Sequence, residues 1–280
     1  MEINKDELDF QLSPSKIAKD ALATLRAHTA RTTAALNNPG YRVRRDLAYG
    51  SAPRQRLDVI APPGDGPFPC VAVIHGGFWQ EGSKAVAGFA VDAFANKGWA
   101  TALIGYTLAP DASLTEIVHE VGNALSFLME QSESLSLDST KLVLVGHSAG
   151  GHLAAAMIAG KAGPEVARMV SGAVLVSGVF DLAPIAASYV NDLVGMDREE
   201  IMHLSVLESP PKSDVPVHVL VGSDESDAFR GQSDALALHW RPHLSRLSNL
   251  NAHGRDHFDV LDELADENSP SFEQLRAMLS

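Results

Sequence analysis

Residues 142–152, LVLVGHSAGGH, decide the fold. Four apolar residues, Leu142 to Val145, run directly into Gly146-His147-Ser148-Ala149-Gly150-Gly151. An unbroken apolar run of this length predicts a strand buried on both faces. The small-residue stretch 148–160 behind it predicts a helix. A strand that turns abruptly into a helix strains the backbone at the turn, and small neighbours let the two elements approach without a side-chain clash. The serine hydroxyl is then presented at the strand end, beside the partial positive charge of a helix N-terminus. Gly-x-Ser-x-Gly alone is a frequent accident; the strand before it and the helix after it give it meaning.

Working outward, the same alternation recurs. CVAVIH (70–75), WATALIGY (99–106), SGAVLVSG (171–178) and VPVHVLVGS (215–223) read as strands, and LSRLSNLNAHG (244–254) leads to another. Between them lie helical stretches over 83–96, 112–134 and near 230–240, with two more near 258–265 and 270–279. Strands separated by such helices imply βαβ units, hence a mostly parallel sheet covered by helices on both faces. YRVRRDLAYG (41–50) and RLDVIAP (56–62), joined by SAPRQ, predict a β-ribbon before the first buried strand. Residues 15–36 read as one amphipathic helix, ended by Asn38-Pro39-Gly40. One domain over 1–280 is expected, with residues 1–40 as an N-terminal helical extension. Residues 181–210 interrupt the rhythm between two core strands and are expected to form a lid-like insertion.

The 280 residues carry a formal net charge of −13 and 45% hydrophobic residues, enough for a sizeable core. Such an acidic surface repels phosphate backbones and anionic lipid, so nucleic acid and membrane are not expected partners. MEINKDELDF at the N-terminus lacks an apolar signal core, and no apolar stretch reaches bilayer-spanning length; a soluble cytoplasmic location is expected. The lone Cys70 excludes an intrachain disulfide and reads as a small buried hydrophobe. The histidines form no short ligand cluster, so no metal is expected, and with neither a dinucleotide fingerprint nor a P-loop no cofactor is.

A serine hydroxyl needs a base, and the base a carboxylate to orient it. In strand-helix hydrolases these follow the serine in the order acid, then histidine. VPVHVLVGSDES offers Asp224 and Glu225 at the end of a core strand, and NAHGRDHFDVL offers His253 and His257. His257 stands at a loop-helix junction beyond the strand and is the expected base. His147 and His152 flank the serine too closely to serve it. An oxyanion hole is the other requirement. His75-Gly76-Gly77-Phe78-Trp79 follows a strand, and the amides of Gly76, Gly77 and Phe78, with that of Ala149, are the expected donors.

On these residues the chain resembles the arylformamidases (kynurenine formamidases), a branch of the α/β-hydrolases. HGGFWQEGSK (75–84) is similar to that family's glycine loop, GHSAGGHL (146–153) to its serine turn, ESDAFRGQS (225–233) to its acid segment and DHFD (256–259) to its histidine segment. DFQLSPSKIAKDA (9–21), FDLAPI (180–185) and Tyr189-Val190-Asn191-Asp192 extend the resemblance over most of the chain. It implies the α/β-hydrolase fold and a Ser148–His257–Glu225 triad, with Glu225 rather than Asp224 in the acid position. It also implies cleavage of an N-formyl or N-acyl arylamine, of the N-formylkynurenine or N-acylanthranilate type, through an acyl-enzyme. The expected partner is a small aromatic amide, with a homodimer allowed for.

The alternatives are a general carboxylesterase acting on small acyl esters with the same residues, and a catalytically silent fold used as a small-molecule receptor. Such receptors typically lose a triad member, and all three are present here. Phe78 stands where the family commonly has tyrosine, which suits a bulkier or more apolar acyl chain than formyl. Ser-Asp-Ala after Glu225 departs from the more familiar Ser-Pro-Glu. Trp79, Tyr106 and Tyr189, with Phe78 and Phe180, are expected to line an aromatic pocket, and Lys84 or Arg230 to meet a substrate carboxylate.

Overall fold

Alternation of apolar side chains along the buried strands divides the core in two. In the strand Phe68–Ile74, Cys70, Ala72 and Ile74 join one apolar cluster, while Val71 and Val73 join another on the opposite face. Leu142 and Leu144 likewise face one way, and Val143 and Val145 the other. Successive side chains of a strand point to opposite faces, so a run apolar at every position must be covered on both sides. Each fully buried aliphatic side chain contributes about 1.5–3 kcal/mol. Cys70 is fully buried among them, and burial pushes its thiol up to about 12.

The structure, a computed structural model, describes residues 4–280, so the first three residues of the expected N-terminal extension lie outside the described residues. Eight strands make one sheet: β1 (Arg42–Ala48), β2 (Arg56–Ala61), β3 (Phe68–Ile74), β4 (Ala100–Ile104), β5 (Leu137–His147), β6 (Gly172–Val176), β7 (Val217–Gly222) and β8 (Leu247–Ala252). Their spatial order is β1-β2-β4-β3-β5-β6-β7-β8. The β1/β2 ribbon and the β2/β4 pair are antiparallel, and every pair from β4 to β8 is parallel. This is the α/β-hydrolase architecture. β4 and β5 flank β3 on opposite sides, which makes the C-terminal ends of β3 and β5 a switch point, the crevice where open α/β sheets bind ligands.

Three expected helices are broken, each for a physical reason. The stretch 15–36 divides into Pro14–Ile17 and Ala21–Leu36, because Ala18 turns extended and the Asp20 carboxylate caps a new start by accepting from the Ala23 amide at 2.9 Å. The stretch 83–96 becomes a 3-10 turn, Lys84–Val86, and a helix, Val91–Asn96. Between them Gly88 docks on the N-terminal helix, its amide donating to Thr32 Oγ1 at 3.0 Å. The stretch 112–134 starts at a capping box between Ser113 and Glu116 and ends at Glu130, followed by a separate turn, Ser132–Leu135. The insertion folds as three short helices, Leu182–Ala186, Asn191–Val194 and Arg198–Leu204. Among the described residues, no helix is long and apolar enough to cross a membrane.

Candidate active site

Ser148 follows the last residue of β5 and caps the helix Ala149–Ile158, with φ 56° and ψ −121°. An L-residue rarely adopts such angles, which cost on the order of 1–3 kcal/mol and persist only when the surroundings enforce them. Here the Ser148 amide donates to Val176 O at 2.8 Å, and the Ser148 carbonyl accepts from Gly151 at 2.8 Å. Gly150 is obligatory: a Cβ there would lie 2.1 Å from Ile74 O and 2.6 Å from His75 O, both backbone atoms of the β3 end. Gly76 is also tightly fitted, since a Cβ on it would sit 2.8 Å from Ser148 Cβ. The glycine loop and the serine turn therefore touch backbone to backbone.

The loop after β3 is bent by three consecutive left-handed residues, Gly77 (φ 108°), Phe78 (φ 46°) and Trp79 (φ 60°). Among the described residues, the amides of Gly77, Phe78 and Ala149 donate to no protein acceptor. His75 anchors the start of the loop. Its Nδ1–H donates to Gly76 O at 2.8 Å, and its ring stacks on Tyr106 at 4.2 Å. Tyr106 Oη in turn donates to His75 O at 2.9 Å. Burial lowers the His75 imidazole to about 4, so it is a neutral structural group.

His257 follows β8 and Glu225 follows β7. His257 Nδ1–H donates to Glu225 Oε2 at 2.6 Å, with both side chains buried. That bond leaves Nε2 as the unprotonated ring nitrogen of a residue that lines the same cavity as Ser148. Glu225 Oε1 accepts from the Gly222 amide at 2.7 Å and from Ser177 Oγ at 2.6 Å. Ser177 was not foreseen from the sequence. It directly follows β6, is fully buried and is held at φ 48°. Its positive φ marks it structurally, but in sequence it looks like an ordinary loop serine. His147, too close to Ser148 in sequence to be its base, supports the base instead: its Nε2–H donates to His257 O at 2.7 Å. Burial, reinforced by the neighbouring His257, holds the His147 imidazole well below its ordinary value.

Asp224 points away from this cluster. Its carboxylate is exposed, bonded by Ser223 Oγ at 2.9 Å and paired with Lys19 at 3.3 Å, contacts that lower its pKa. His253 contributes to neither cluster nor cavity.

The cavity measures about 420 Å³. Its floor is Gly76, Gly77, Phe78 and Ser148, and one wall carries His257 and Phe258. Pro14, Ser15, Ala21, Leu22 and Leu25 close it from the N-terminal segment, a contribution the sequence did not announce. This segment is clamped onto the loops bearing Glu225 and His257. The Lys19 amide donates to Asp256 Oδ2 at 3.0 Å, and Ser226 Oγ donates to Gln11 O at 2.7 Å. From the insertion only Tyr189 reaches the cavity, its Oη donating to Leu12 O at 3.0 Å.

The expected aromatic pocket is corrected in three places. Trp79, Tyr106 and Phe180 are wholly buried core residues and do not line the cavity. Trp79 packs edge-on to His152, because its left-handed backbone turns the indole inward. The two expected carboxylate binders are already engaged. Lys84 bridges Asp46 at 2.7 Å and Asp58 at 2.5 Å, and Arg230 is paired with Asp227 and bonds Ser223 O at 3.0 Å. Neither lines the cavity.

The fold, with a strained serine at the β5 turn and a buried histidine–carboxylate pair at the ends of β8 and β7, defines a hydrolytic enzyme of the α/β-hydrolase class. The BD-FAE family model matches residues 57–205. Kynurenine formamidase of Danio rerio is 33% identical, covering 95% of this chain and 93% of that protein, and the Salmo salar enzyme of the same name is 31% identical with the same coverage. Among solved structures, a Silicibacter protein provisionally described as a thioesterase superposes with a TM-score of 0.84 at 29% identity, covering 98% of both chains. The chain belongs to the kynurenine formamidase family.

Proposed function

We propose that this protein is a serine amidohydrolase that cleaves N-formyl arylamines, N-formylkynurenine foremost, through an acyl-enzyme. The observation that carries the reading is the extent of the likeness to kynurenine formamidases, 95% of the chain, whereas the general family match stops at residue 205, before β7 and β8. The N-terminal segment and the histidine loop, which wall the cavity, lie outside that match.

In this reading Ser148 Oγ attacks the formyl carbon while His257 Nε2 takes its proton. Glu225 fixes the imidazole tautomer and stabilises the imidazolium. The amides of Gly77, Phe78 and Ala149, with Gly76 shaping the turn, receive the oxyanion, each donor contributing about 3–4 kcal/mol. His257 returns the proton to the arylamine nitrogen as the C–N bond breaks. Water activated by the same imidazole then attacks the formyl ester, releasing formate and restoring Ser148. The aryl group of the substrate occupies the apolar cavity between Phe78, Phe258 and the N-terminal leucines.

The test is kcat/KM on N-formylkynurenine, N-acetylanthranilate, a longer N-acylanthranilate and a p-nitrophenyl ester. An aryl formamide ahead by orders of magnitude is the expected result. A lead for the longer acylanthranilates would move the substrate class to larger acyl groups, and turnover of the activated ester alone would sink the amidase reading.

A further inference from the structure

The cavity wall is mostly apolar, with polar groups at Ser15, His147, Ser148, Tyr189 and His257. Among the described residues, Glu81 is the only acidic side chain that lines it. Glu81 belongs to the same tight turn as the glycine loop, its amide donating to Gly77 O at 3.0 Å, so its position is tied to the floor of the site. The residue is exposed, and its carboxylate makes no hydrogen bond or ion pair among the described residues. Three cations on the segments that border the cavity are engaged by other groups. Lys84 bridges Asp46 and Asp58, Arg54 donates to Tyr106 O and Gly82 O, and Lys19 is paired with Asp224. Arg26 faces an adjoining groove that shares Leu22 and Leu25 with the cavity but is not part of the cavity wall. An anionic ligand entering here meets an unneutralised carboxylate on a protein of net charge −13.

We infer that Glu81 sets substrate charge: it receives an ammonium group carried on the aryl leaving group, so that amino-bearing aryl formamides are favoured over uncharged ones and over anthranilate anions. This rests on the amidohydrolase reading for the identity of the scissile bond, but the charge preference belongs to the cavity. The pair forms at a solvent-facing mouth, so its effect is modest and screened by salt.

The experiment compares two matched pairs. One is 4-(2-aminoethyl)formanilide against 4-ethylformanilide, and the other is 4-(2-aminoethyl)phenyl acetate against 4-ethylphenyl acetate. In the wild type the kcat/KM ratio of charged to uncharged substrate is expected above one in both pairs. E81Q lowers that ratio about three- to fivefold at low ionic strength, and added salt lowers the wild-type ratio. E81K takes it below one. A ratio equal in wild type, E81Q and E81K overturns the role of Glu81. Formanilides that are not cleaved, beside a Glu81-dependent ratio in the ester pair, would instead overturn the amidase reading and leave the charge preference standing.

Discussion

Ser177→Ala removes one support of the triad carboxylate without touching the serine or the histidine. Ser177 Oγ is one of three donors to the buried Glu225 carboxylate, at 2.6 Å, beside the Gly222 amide and His257 Nδ1. A hydrogen bond to a charged group contributes about 1.5–3 kcal/mol, and a buried carboxylate that loses it has no water to replace it. If the loss falls on folding, the melting temperature drops by about 3–5 °C for a chain of this size. If it falls on the orientation of Glu225, and through it His257, kcat/KM falls roughly ten- to a hundredfold. Both are expected together in the alanine variant. Ser177→Gly separates them. Glycine at φ 48° relieves backbone strain of about 1 kcal/mol or more, so it recovers part of the lost stability but none of the lost activity. The assay is kcat/KM on an aryl formamide beside a thermal melt for wild type and both variants. Ser177→Ala with kcat/KM within twofold of wild type would refute a positioning role, as would a glycine variant that regains activity along with stability.

Other consequences are as direct. Asp224→Asn should leave kcat/KM within about twofold, because its carboxylate is exposed and paired with Lys19, whereas Glu225→Gln should lower it by roughly 10³- to 10⁴-fold; equal effects at the two positions would reverse the assignment. Gly150→Ala places a methyl 2.1 Å from Ile74 O, backbone that cannot step aside, and should cost about 3 kcal/mol or more in a denaturant titration. Burial keeps His75, His152 and His218 neutral down to about 4, and His147 also well below its ordinary value. Unfolding restores ordinary values of about 6.5, so between about pH 6.5 and 4 the unfolded chain binds protons that the folded chain refuses. Stability should therefore fall as the pH falls, by up to roughly 1.4 kcal/mol per pH unit for each histidine; a flat unfolding midpoint across that window would contradict their burial as neutral rings.

What could be read from the sequence was what is locally encoded. The β5 run and the glycines around Ser148 announce a strand, a turn and a helix, because the apolar periodicity and the backbone demands sit within a dozen residues. Their place at the ends of strands marks out Asp224 or Glu225 and His253 or His257; the loop-helix junction favours His257, and only the family resemblance separates Glu225 from Asp224. Ser177 was not legible, since its partner lies 48 residues away and nothing in SGVF marks the contact. The N-terminal roof was missed for a similar reason: Leu22 and Leu25 acquire a role only when Lys19 and Gln11 fasten that segment to the loops after β7 and β8. Trp79 and Tyr106 misled because nearness in sequence to the glycine loop says nothing about side-chain direction. The left-handed backbone at 77–79 turns the indole into the core, and the tyrosine is needed beneath His75.

The central claim is that Ser148 is the nucleophile of an aryl formamidase, and active-site labelling tests it most directly. A fluorophosphonate should modify one serine, mapped by peptide mass spectrometry to Ser148, with labelling slowed in proportion by N-formylkynurenine and abolished in Ser148→Ala. Label on another serine, or labelling of Ser148 that saturating N-formylkynurenine does not slow, would contradict the account.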